Sequence, residues 1–539
     1  MQVITFLTFT ALVALIAYLK TRNTDEGSSD GYFLGGRSLT GVVIAGSLLL
    51  TNLSTEQIVG LNGSAYKEGI LVMAWETLAA IAMVVTAVFL LPRYLKGGIT
   101  TIPQFLERRY DKMTKTIVSG LFLTGYAVIL LPIVLYSGAL AINSMFNIPE
   151  MLGVSQNTAL WITVWGIGII GSIYAIFGGL KAVAVSDLIN AIGLLIGGLL
   201  IPIFGLMAVG DGSVSDGISV LLESHPEKFE SIGNEDSSIP FATIFTGMML
   251  VQLFYWGTNQ AIIQRALGAK NLKEGQKGLI LASFIKILGP LIVVLPGIIA
   301  FHIFGSSLDN PDQAYPLLVT EVLPDYLVGF FAAVLFGAIL SSFNSALNSS
   351  VTLFGVDIYQ SYFQKEASEK QVVKAGKTFG IFLALISMFI APLLIYASDG
   401  LFGYLQEVNG IYSIPILTII VVGYLTKYVP AIAAKIGVIS GSVLYIISQF
   451  FIKPLFDVVE TFNGVETVTG NTYPHYLHVM AILFVLNMII MLIIGRLKPR
   501  TIAYTQNYTK QVDITPWKYL SITGIGICVI VIGIYVYFA

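Results

Sequence analysis

The sequence predicts an all-α polytopic membrane protein with about fourteen transmembrane helices. Of its 539 residues, 55% are hydrophobic and only 11% are charged, whereas an ordinary soluble domain has roughly 25% charged residues. The apolar residues also form repeated runs of about 20, the length that an α-helix needs to cross a bilayer. Composition and run length together exclude a water-soluble domain, which could not build a polar surface from so few charges.

Charges or clusters of Gly, Pro and Asn bound each apolar run, and we number the runs as spans 1 to 14 in chain order. The predicted spans are 3–20, 40–60, 70–92, 116–145, 157–178, 184–208, 241–264, 278–304, 327–358, 377–398, 401–425, 436–456, 476–495 and 519–538. Span 1 is predicted to be a membrane helix rather than a signal peptide. No basic residue precedes its apolar run, and Lys20 and Arg22 follow it directly.

The distribution of basic residues predicts the orientation. Every second loop, beginning with 20–39, is rich in Lys and Arg, and the lysines and arginines outside these loops are Lys67, Lys228, Lys286 and Lys453. The opposite loop 209–240 is acidic. Because basic loops stay in the cytoplasm, both termini are predicted to face the outside.

Several classes of function are excluded by composition and motifs. Lys plus Arg (29) nearly balances Asp plus Glu (31), so no basic surface for nucleic acid is expected. The single cysteine, Cys528, rules out a disulfide framework, and the four histidines lack the spacing of a zinc hydrolase. No phosphate-binding loop of the GxxxxGK[ST] type is present, so no ATP-hydrolysing subunit is indicated.

Polar residues inside the spans are the first functional candidates, because an ionisable side chain at the centre of a bilayer costs about 2.5–3.5 kcal/mol. Such side chains must face protein or a watery cavity. The in-span polar residues are Thr51, Asn52, Ser54, Thr55, Glu56 and Gln57 (span 2), Glu76 (span 3), Asp187 (span 6), Gln252, Tyr255, Trp256, Thr258, Asn259, Gln260 and Gln264 (span 7), Lys286 (span 8), Ser341, Ser342, Asn344, Ser345, Asn348, Ser349 and Ser350 (span 9) and Gln406, Glu407 and Asn409 (span 11).

The densest polar stretches, 51–57 and 255–260, lie five spans apart. This spacing suggests two inverted five-helix repeats, about 40–208 and 241–425, whose first helices line one site. Such helices are usually interrupted: Gly257 supports a break in span 7, whereas 51–57 contains neither Gly nor Pro. The predicted layout is an extra helix in 1–25, a ten-helix core in 26–435 and three further helices in 436–539.

The hydroxyls of Ser341 and Ser342 suit a hard monovalent cation such as sodium, which prefers oxygen ligands. Serines in membrane helices also cushion close helix contacts or bond back to their own helix, and this alternative stays open. Asp187 is predicted either to lie on an ion-exit path or to be a charge near a helix N-terminus.

A second set of residues suits a neutral, polyhydroxylated solute. It offers amide, carboxylate and ammonium groups and consists of Gln57, Glu76, Gln252, Lys286 and Gln406. No arginine is predicted in mid-span, so a carboxylate substrate would lack its usual clamp. Two alternatives stay open: Glu76 and Lys286 form a structural ion pair, and Tyr255 and Trp256 are packing aromatics rather than stacking or gating surfaces.

Ordered motifs over about residues 30–430 resemble the solute:sodium symporter family, in particular its bacterial sugar-type branch. The matching stretches are GYFLGGRSL (31–39), TNLSTEQIVG (51–60), GITTIPQFLERRYDK (98–112), YAIFGGLKAVAVSD (174–187), YWGTNQAIIQR (255–265), VVLPGI (293–298) and SSFNSALNSS (341–350). The resemblance implies the LeuT-like fold and a place in the cytoplasmic membrane of a bacterium.

By this resemblance, sodium would bind carbonyl groups of Leu50, Leu53 and Ala338 and hydroxyls of Ser341 and Ser342. The same resemblance assigns sugar contacts to the five residues of the second set. Tyr255 would be the inner gate, Leu61, Trp75 and Phe402 would form the outer side, and Asp187 would lie on the sodium release path. Ala79 and Gln252 depart from the serine and asparagine of a galactose carrier, so galactose itself is not implied.

The predicted function is sodium-coupled symport of a neutral sugar or polyol. A proton-coupled carrier using Glu56 or Asp187, or a sodium-coupled carrier of another small organic solute, remains an alternative. A passive channel would need a ring of repeated polar residues along one pore. An enzyme would need a nucleophile–base or metal constellation, which the sequence does not suggest.

Overall fold

The structure is a computed structural model that describes residues 1–21, 28–308, 310–396, 401–462 and 465–539. Most of the described chain is helical, and the helices follow the predicted spans closely. Residues 22–25 of the predicted first segment and 397–398 of predicted span 10 lie outside the described residues.

The first repeat contains long helices with internal breaks. Their bounds are Gln2–Thr21 for span 1, Gly41–Asn52 and Thr55–Glu68 for span 2, Ala74–Val85 and Leu91–Gly97 for span 3, Lys112–Gly125 and Leu131–Phe146 for span 4, and Gln156–Val209 for spans 5 and 6 together. A single π-helical turn joins the two parts of span 3 and of span 4. Short helices outside the spans are Ser29–Leu34, Ile102–Arg109 and Ile148–Leu152.

The second repeat and the C-terminal helices follow the same pattern. Their bounds are Phe241–Gly257 and Gln260–Leu267 for span 7, Leu272–Ile287 and Gly289–Phe304 for span 8, Asp325–Phe363 for span 9, Glu369–Ile395 for span 10, Leu401–Leu425 for span 11, Ala431–Phe456 for span 12, Tyr476–Leu497 for span 13 and Leu520–Tyr537 for span 14. Short helices Val214–Ser224 and Ala314–Val322 lie between spans.

Eleven described helices are long and apolar enough to cross a membrane, and the bent pairs of spans 7 and 8 raise this number to thirteen. The difference from fourteen comes from span 2. Its first half, Gly41–Asn52, is short, and its second half runs into span 3 through a bend at Gly69 (φ 80°). Separating spans 2 and 3 at this bend gives the predicted count.

Gly179 separates spans 5 and 6, which otherwise form one continuous helix. Its backbone has φ 57° and ψ −175°, a conformation that residues with a Cβ rarely adopt. A Cβ at this position would also lie 3.1 Å from the ring of Tyr32. The glycine therefore allows the chain to reverse direction between two spans without a loop.

Breaks interrupt the two helices predicted to line the site. Span 7 bends by 47° at Thr258–Asn259, close to the position that Gly257 indicated. Span 2 also breaks, at Leu53 and Ser54, although the stretch has no Gly or Pro. Ser54 has an extended backbone (φ −86°, ψ −179°) and occupies the N-cap position of the next helix. A serine at this position is the sequence signal for the start of a new helix, and hence for the break. Span 8 has a further bend of 51°.

The all-α prediction misses one feature, an antiparallel hairpin between spans 12 and 13. Its strands are β1 (Asp457–Phe462) and β2 (Val465–Asn471), with Asp457 opposite Asn471. The sequence of both strands is rich in Val and Thr, and the dipeptide Asn463-Gly464 between them is a strong hairpin signal. The hairpin belongs to a loop outside the predicted spans.

The helices converge around the break in span 2. Its first half packs against spans 6, 8 and 9, and its second half against spans 4, 8 and 11. The four flanking helices pack on different core helices. Span 1 packs on spans 6 and 9, span 14 on spans 3 and 8, and spans 12 and 13 on span 11. Unpaired backbone groups at the break therefore lie inside protein.

Candidate functional site

A fully buried ion pair links spans 3 and 8. Lys286 Nζ lies 2.6 Å from both carboxylate oxygens of Glu76, and neither side chain has any solvent-exposed surface. Gly289, at the bend of span 8, makes room for the pair, because a Cβ at this position would clash with Glu76 Oε2. Glu76 and Lys286 therefore form the ion pair that the structural alternative requires. A pair that also binds solute would make the same contact.

Two glutamine amides extend this pair. Gln57 Nε2 donates to Glu76 Oε1 at 2.7 Å, which connects the second half of span 2 to the ion pair. Gln252 Nε2 donates to the Trp75 carbonyl at 2.8 Å, and Gln252 Oε1 accepts from Trp256 Nε1 at 3.1 Å. Trp256 is completely buried and lies with its ring 5.9 Å from Lys286 Nζ. Four of the five predicted solute contacts therefore lie in one region.

The fifth residue, Gln406, is half-buried on span 11, one helical turn after Phe402. Among the described residues it makes no hydrogen bond to Gln57, Glu76, Gln252 or Lys286. Phe402 itself packs its ring edge-to-face on Trp75, with ring centroids 5.2 Å apart. Gln406 is thus placed beside the outer aromatic pair and not in the ion-pair network.

The predicted outer residues form a closed layer. Trp75, Phe402 and Leu61 are all buried, and Phe402 packs on Gly60, where a Cβ would lie 2.7 Å from Phe402 Cβ. Tyr255, the predicted inner gate, is half-buried in span 7 next to Trp256, with ring centroids 5.2 Å apart.

The predicted sodium-binding residues meet where span 2 breaks. Ser342 Oγ donates to the Thr51 carbonyl at 2.9 Å, and Thr51 Oγ1 lies 3.2 Å from Ser341 Oγ and 3.1 Å from Ser345 Oγ. Leu50 and Leu53 flank the same contact on span 2, and Ala338 lies one turn before Ser342 on span 9. Carbonyl groups at the end of an interrupted helix lack helical partners and are free to bind a cation.

Several buried oxygens in this region have no hydrogen-bond partner among the described residues. They include Thr55 Oγ1 after the break and Asn344 Oδ1 and Asn348 Oδ1 on span 9, all in residues with at most 1% exposed surface. An unsatisfied buried acceptor costs about 1–3 kcal/mol. Oxygens held in this state favour a bound cation or polar solute that would satisfy them.

Asp187 lies against an arginine that the sequence did not single out. Ser47 Oγ donates to Asp187 Oδ2 at 2.6 Å and accepts from Arg265 Nε at 3.0 Å. Arg265 also donates to Ser345 Oγ and to the Ala261 carbonyl. The sequence predicted no arginine in mid-span and placed Arg265 in a cytoplasmic loop; the structure places it, completely buried, near the end of Gln260–Leu267. The buried carboxylate of Asp187 was the signal that a countercharge was needed.

The break in span 7 is held by a tyrosine of span 4. Asn259 Oδ1 accepts from Tyr126 Oη at 2.7 Å and from Ala261 N at 3.0 Å, so it caps the helix Gln260–Leu267. Ala261 N also donates to Tyr126 Oη at 3.0 Å. These contacts fix the angle between the two halves of span 7, on the side of the site that carries Asp187 and Arg265.

Comparisons with known proteins agree with this geometry. The family model described as "SSF: Sodium:solute symporter family" matches residues 32–441. The chain is 48% identical to "Uncharacterized symporter YidK" of Escherichia coli (strain K12), over 99% of this chain and 90% of that protein. It is 34% identical to "Sodium/glucose cotransporter" of Vibrio parahaemolyticus, over 77% of this chain and 78% of that protein.

A solved structure has the same fold. The substrate-bound, outward-open state of a Na+-coupled sialic acid symporter superimposes with a TM-score of 0.75 at 20% identity and covers 93% of this chain and 99% of that one. The predicted LeuT-like fold class of a multi-pass membrane transporter is thereby confirmed. Because the family model and both relatives cover most of the chain, it belongs to the sodium:solute symporter family, with sodium as the transported coupling ion.

Proposed function

We propose that the protein carries a neutral sugar or polyol into the cell together with sodium. The observation that supports this most strongly is the charge balance of the buried solute-binding candidates. Lys286 is neutralised by Glu76 at 2.6 Å, so this pair supplies strong donors and acceptors without a net charge. A neutral hydroxyl-rich solute can bond to such groups without leaving a buried charge unpaired.

An acidic substrate fits these residues less well. A carboxylate is usually bound by a bidentate arginine, and Arg265, the nearest buried arginine, is already engaged by Ser47 and Ser345 beside Asp187. The Na+-coupled sialic acid symporter therefore supports the fold of this chain and not its substrate. The Vibrio relative is a sodium/glucose cotransporter, which agrees with a neutral sugar.

In the proposed bound state, solute hydroxyls replace protein partners of the glutamines. The Gln57–Glu76 bond at 2.7 Å and the Gln252–Trp75 bond at 2.8 Å are exchanged for bonds to hydroxyl groups. Tyr255 and Trp256 offer ring faces for the apolar side of a sugar. Trp75, Phe402 and Leu61 separate the solute from the outside, and Gln406 contacts it only when this outer layer moves.

Sodium is proposed to bind between spans 2 and 9. Carbonyl groups of Leu50, Leu53 and Ala338 and hydroxyls of Ser341 and Ser342 would form an all-oxygen site. The Ser342–Thr51 bond and the unpartnered Asn344 oxygen support this placement. Asp187 is proposed to receive the ion during release, when its contact with Ser47 and Arg265 opens on the cytoplasmic side.

Coupling to one sodium ion provides sufficient energy for accumulation. Moving one positive charge down 100 mV releases about 2.3 kcal/mol, and a tenfold sodium gradient adds about 1.4 kcal/mol. Together these terms support roughly 500-fold accumulation of a neutral solute. A charged solute would change the electrical contribution, so neutrality also simplifies coupling.

We further propose the placement in the membrane. Both termini face outside, in the cytoplasmic membrane of a bacterium, with the Lys- and Arg-rich loops inside. Residues 26–435 form the transport core, which consists of repeats 40–208 and 241–425, with helices 1–25 and 436–539 around it.

Uptake by proteoliposomes tests this function. Purified protein is reconstituted, and uptake of labelled D-glucose, D-galactose, myo-inositol, sialic acid and L-alanine is measured with sodium or potassium outside. We expect at least one neutral sugar or polyol to accumulate with sodium only. Accumulation of sialic acid or L-alanine alone, or equal uptake in potassium, would contradict the proposal.

A further inference from the structure

A groove of about 520 Å³ lies between spans 8 and 14. Each helix lines it with residues at the i, i+3, i+4 and i+7 spacing of one helix face. These residues are Lys277, Ile280, Leu281 and Phe284 of span 8 and Thr523, Gly526, Ile527 and Ile530 of span 14. Gly41 and Val42, at the start of span 2, complete the lining together with Glu274 and Trp517. None of these residues belongs to the proposed solute or sodium sites.

The groove opens toward the lipid of the bilayer. Phe284 has 51% of its surface exposed, Val42 59% and Ile530 44%. A Cβ at Gly526 would meet nothing within 4 Å in the described part of the chain. Lipid tails are as apolar as leucine, so exposed apolar side chains on a membrane helix are solvated by acyl chains. An acyl chain therefore fits the space between these two spans.

One end of the groove is polar and lies at the level of the lipid headgroups. Lys277 Nζ lies 3.1 Å from Glu274 Oε1, and Glu274 Oε2 accepts from Gly41 N at 2.8 Å. This ion pair uses one of the three N–H donors of the ammonium group. Trp517 lines the same end, and its backbone N donates to Gln276 Oε1 at 2.8 Å. Tryptophan is enriched at membrane–water interfaces, which agrees with this depth.

The charge around this end is positive. Lys273 and Lys518, both exposed, lie on the same two segments as Lys277, and the carboxylates in 272–284 and 511–530 are Glu274 and Asp513. Both segments begin in Lys- and Arg-rich loops that the proposed orientation places in the cytoplasm. Basic residues at the cytoplasmic surface attract the anionic lipids of that leaflet.

The dimensions of the groove match a phospholipid with its headgroup at this polar end. The lining from Lys277 to Phe284 extends about 10 Å, at 1.5 Å per residue. One leaflet contributes about 15 Å of hydrocarbon, half of the roughly 30 Å core of a bilayer. The groove thus has a cationic rim followed by an apolar channel that accommodates most of the depth of one leaflet.

We propose that this groove binds an anionic phospholipid of the cytoplasmic leaflet, with its phosphate on Lys277 and one acyl chain between spans 8 and 14. The inference goes beyond the proposed function and takes from it only the orientation in the membrane, not the identity of the solute. The bound chain holds span 14 on the transport core. It also contacts Val42 on the half of span 2 that ends beside the proposed sodium-binding residues.

Lipid binding to the purified full chain tests the proposal. The protein is purified in detergent, dioleoylphosphatidylglycerol or dioleoylphosphatidylcholine is added, and native mass spectrometry counts the bound lipids and measures their affinity. We expect one tightly bound phosphatidylglycerol per wild-type chain, with an affinity at least about fivefold above that for phosphatidylcholine.

Filling the groove tests its location. Gly526→Phe places a ring in the groove, and we expect this variant to lose the tightly bound phosphatidylglycerol. Gly533→Phe is the matched control, because Gly533 lies on the same helix outside the groove and a Cβ there also meets nothing within 4 Å. It should bind the lipid as wild type does. Ile530→Trp, at an exposed lining position, gives the same test where Gly526→Phe does not fold.

A charge variant tests the headgroup contact. We expect Lys277→Gln to weaken phosphatidylglycerol binding by about fivefold and to leave phosphatidylcholine binding unchanged. Lys365→Gln, which removes an exposed lysine from another cytoplasmic loop, is the control and should change neither affinity.

The other outcomes would overturn the proposal. Equal phosphatidylglycerol binding in wild type and in the groove-filling variants would place the lipid elsewhere. Equal affinity for the two lipids would remove the role of the lysines. A wild-type dimer that Gly526→Phe separates would assign the groove to a second copy of the chain. Sodium-dependent uptake of a neutral solute is measured independently of all these results, so the proposed function stands or fails separately.

Discussion

Lys286 and Glu76 determine the chemistry of the buried region at the residue scale. Each charge is removed from water and depends on the other, with 2.6 Å between the ammonium and each carboxylate oxygen. Removing one partner of such a pair costs about 3–5 kcal/mol, because the remaining charge is uncompensated. A single substitution therefore tests stability and binding at the same time.

A double variant separates the two effects. We expect Lys286→Met to lower the unfolding temperature, whereas Glu76→Gln/Lys286→Met restores it because no buried charge remains. Neither variant should bind solute in the buried site. Thermal unfolding and dialysis of a labelled sugar measure both properties, and sugar binding at the buried site of the double variant would assign the pair to structure alone.

Gly289, which packs directly against the Glu76 carboxylate, gives a second test of the pair. An alanine Cβ would clash with Glu76 Oε2, so Gly289→Ala must displace the carboxylate. Overpacking costs about 1–3 kcal/mol, and we expect sodium-driven uptake to fall by about tenfold. Gly166→Ala is the matched control, since a Cβ at Gly166 meets nothing within 4 Å. Equal activity of the two variants would contradict the close approach.

Ser342 tests the sodium site. Its hydroxyl contacts the Thr51 carbonyl at the break, whereas the Ser350 hydroxyl bonds back to Ala346 of its own helix. We expect Ser342→Ala to raise the sodium concentration for half-maximal uptake by about tenfold, and Ser350→Ala to leave it near wild type. An unchanged sodium dependence in Ser342→Ala would remove this hydroxyl from the site.

At the scale of elements, the break in span 7 joins two helical segments that a tyrosine of span 4 holds together. Its second half, Gln260–Leu267, depends on the Asn259 cap and on Tyr126 of span 4. Losing an N-cap costs about 1 kcal/mol. Two halves that meet at a capped break can rotate as units, which a continuous helix cannot do.

Hydrogen exchange measures this element directly. We expect Asn259→Ala to speed amide exchange in 260–267 by about fivefold, the equivalent of roughly 1 kcal/mol. Asn271→Ala is the matched control, because Asn271 caps the next helix and donates nothing to the break. Exchange in 260–267 that responds equally to both variants would contradict the assigned role of Asn259.

The spans themselves could be predicted because apolar length is a direct requirement of the bilayer. Breaks were harder to predict: Gly257 indicated one in span 7, but Ser54 resembles any other helical serine until its extended backbone is seen. The hairpin has a signal in the dipeptide Asn463-Gly464, in a loop that a count of apolar spans does not cover. The helical spans thus followed from composition, whereas the breaks within them depended on tertiary contacts.

The sequence predicted which residues belong to the candidate site better than it predicted the contacts between them. Gln57, Glu76, Gln252 and Lys286 share one region, as expected from the rarity of buried polar groups. The sequence did not indicate Arg265 as a site residue, because a charge near the end of an apolar run is normally assigned to the adjoining loop. In the structure its long side chain turns inward to Ser47 and Ser345. Sequence spacing suggested which helices line the site but not which of their side chains contact each other.

On the scale of the whole molecule, buried side-chain contacts lie on two sides of the site. Trp75 packs on Phe402 on one side, and Asp187, Ser47 and Arg265 are buried together on the other. Transport requires the contacts on these two sides to open in turn. Span 1 packs on spans 6 and 9, whereas span 14 packs on spans 3 and 8, so the two peripheral helices are attached to different parts of the core.

The most direct test is the thermodynamic linkage between sodium and solute in the purified protein. Sugar affinity is measured by dialysis over a range of sodium concentrations at constant ionic strength, and sodium affinity over a range of sugar concentrations. If sodium between spans 2 and 9 organises the solute-binding residues beside it, each ligand should raise the affinity for the other by the same factor, about 5- to 150-fold. Sugar affinity that is equal in sodium and in potassium would contradict it.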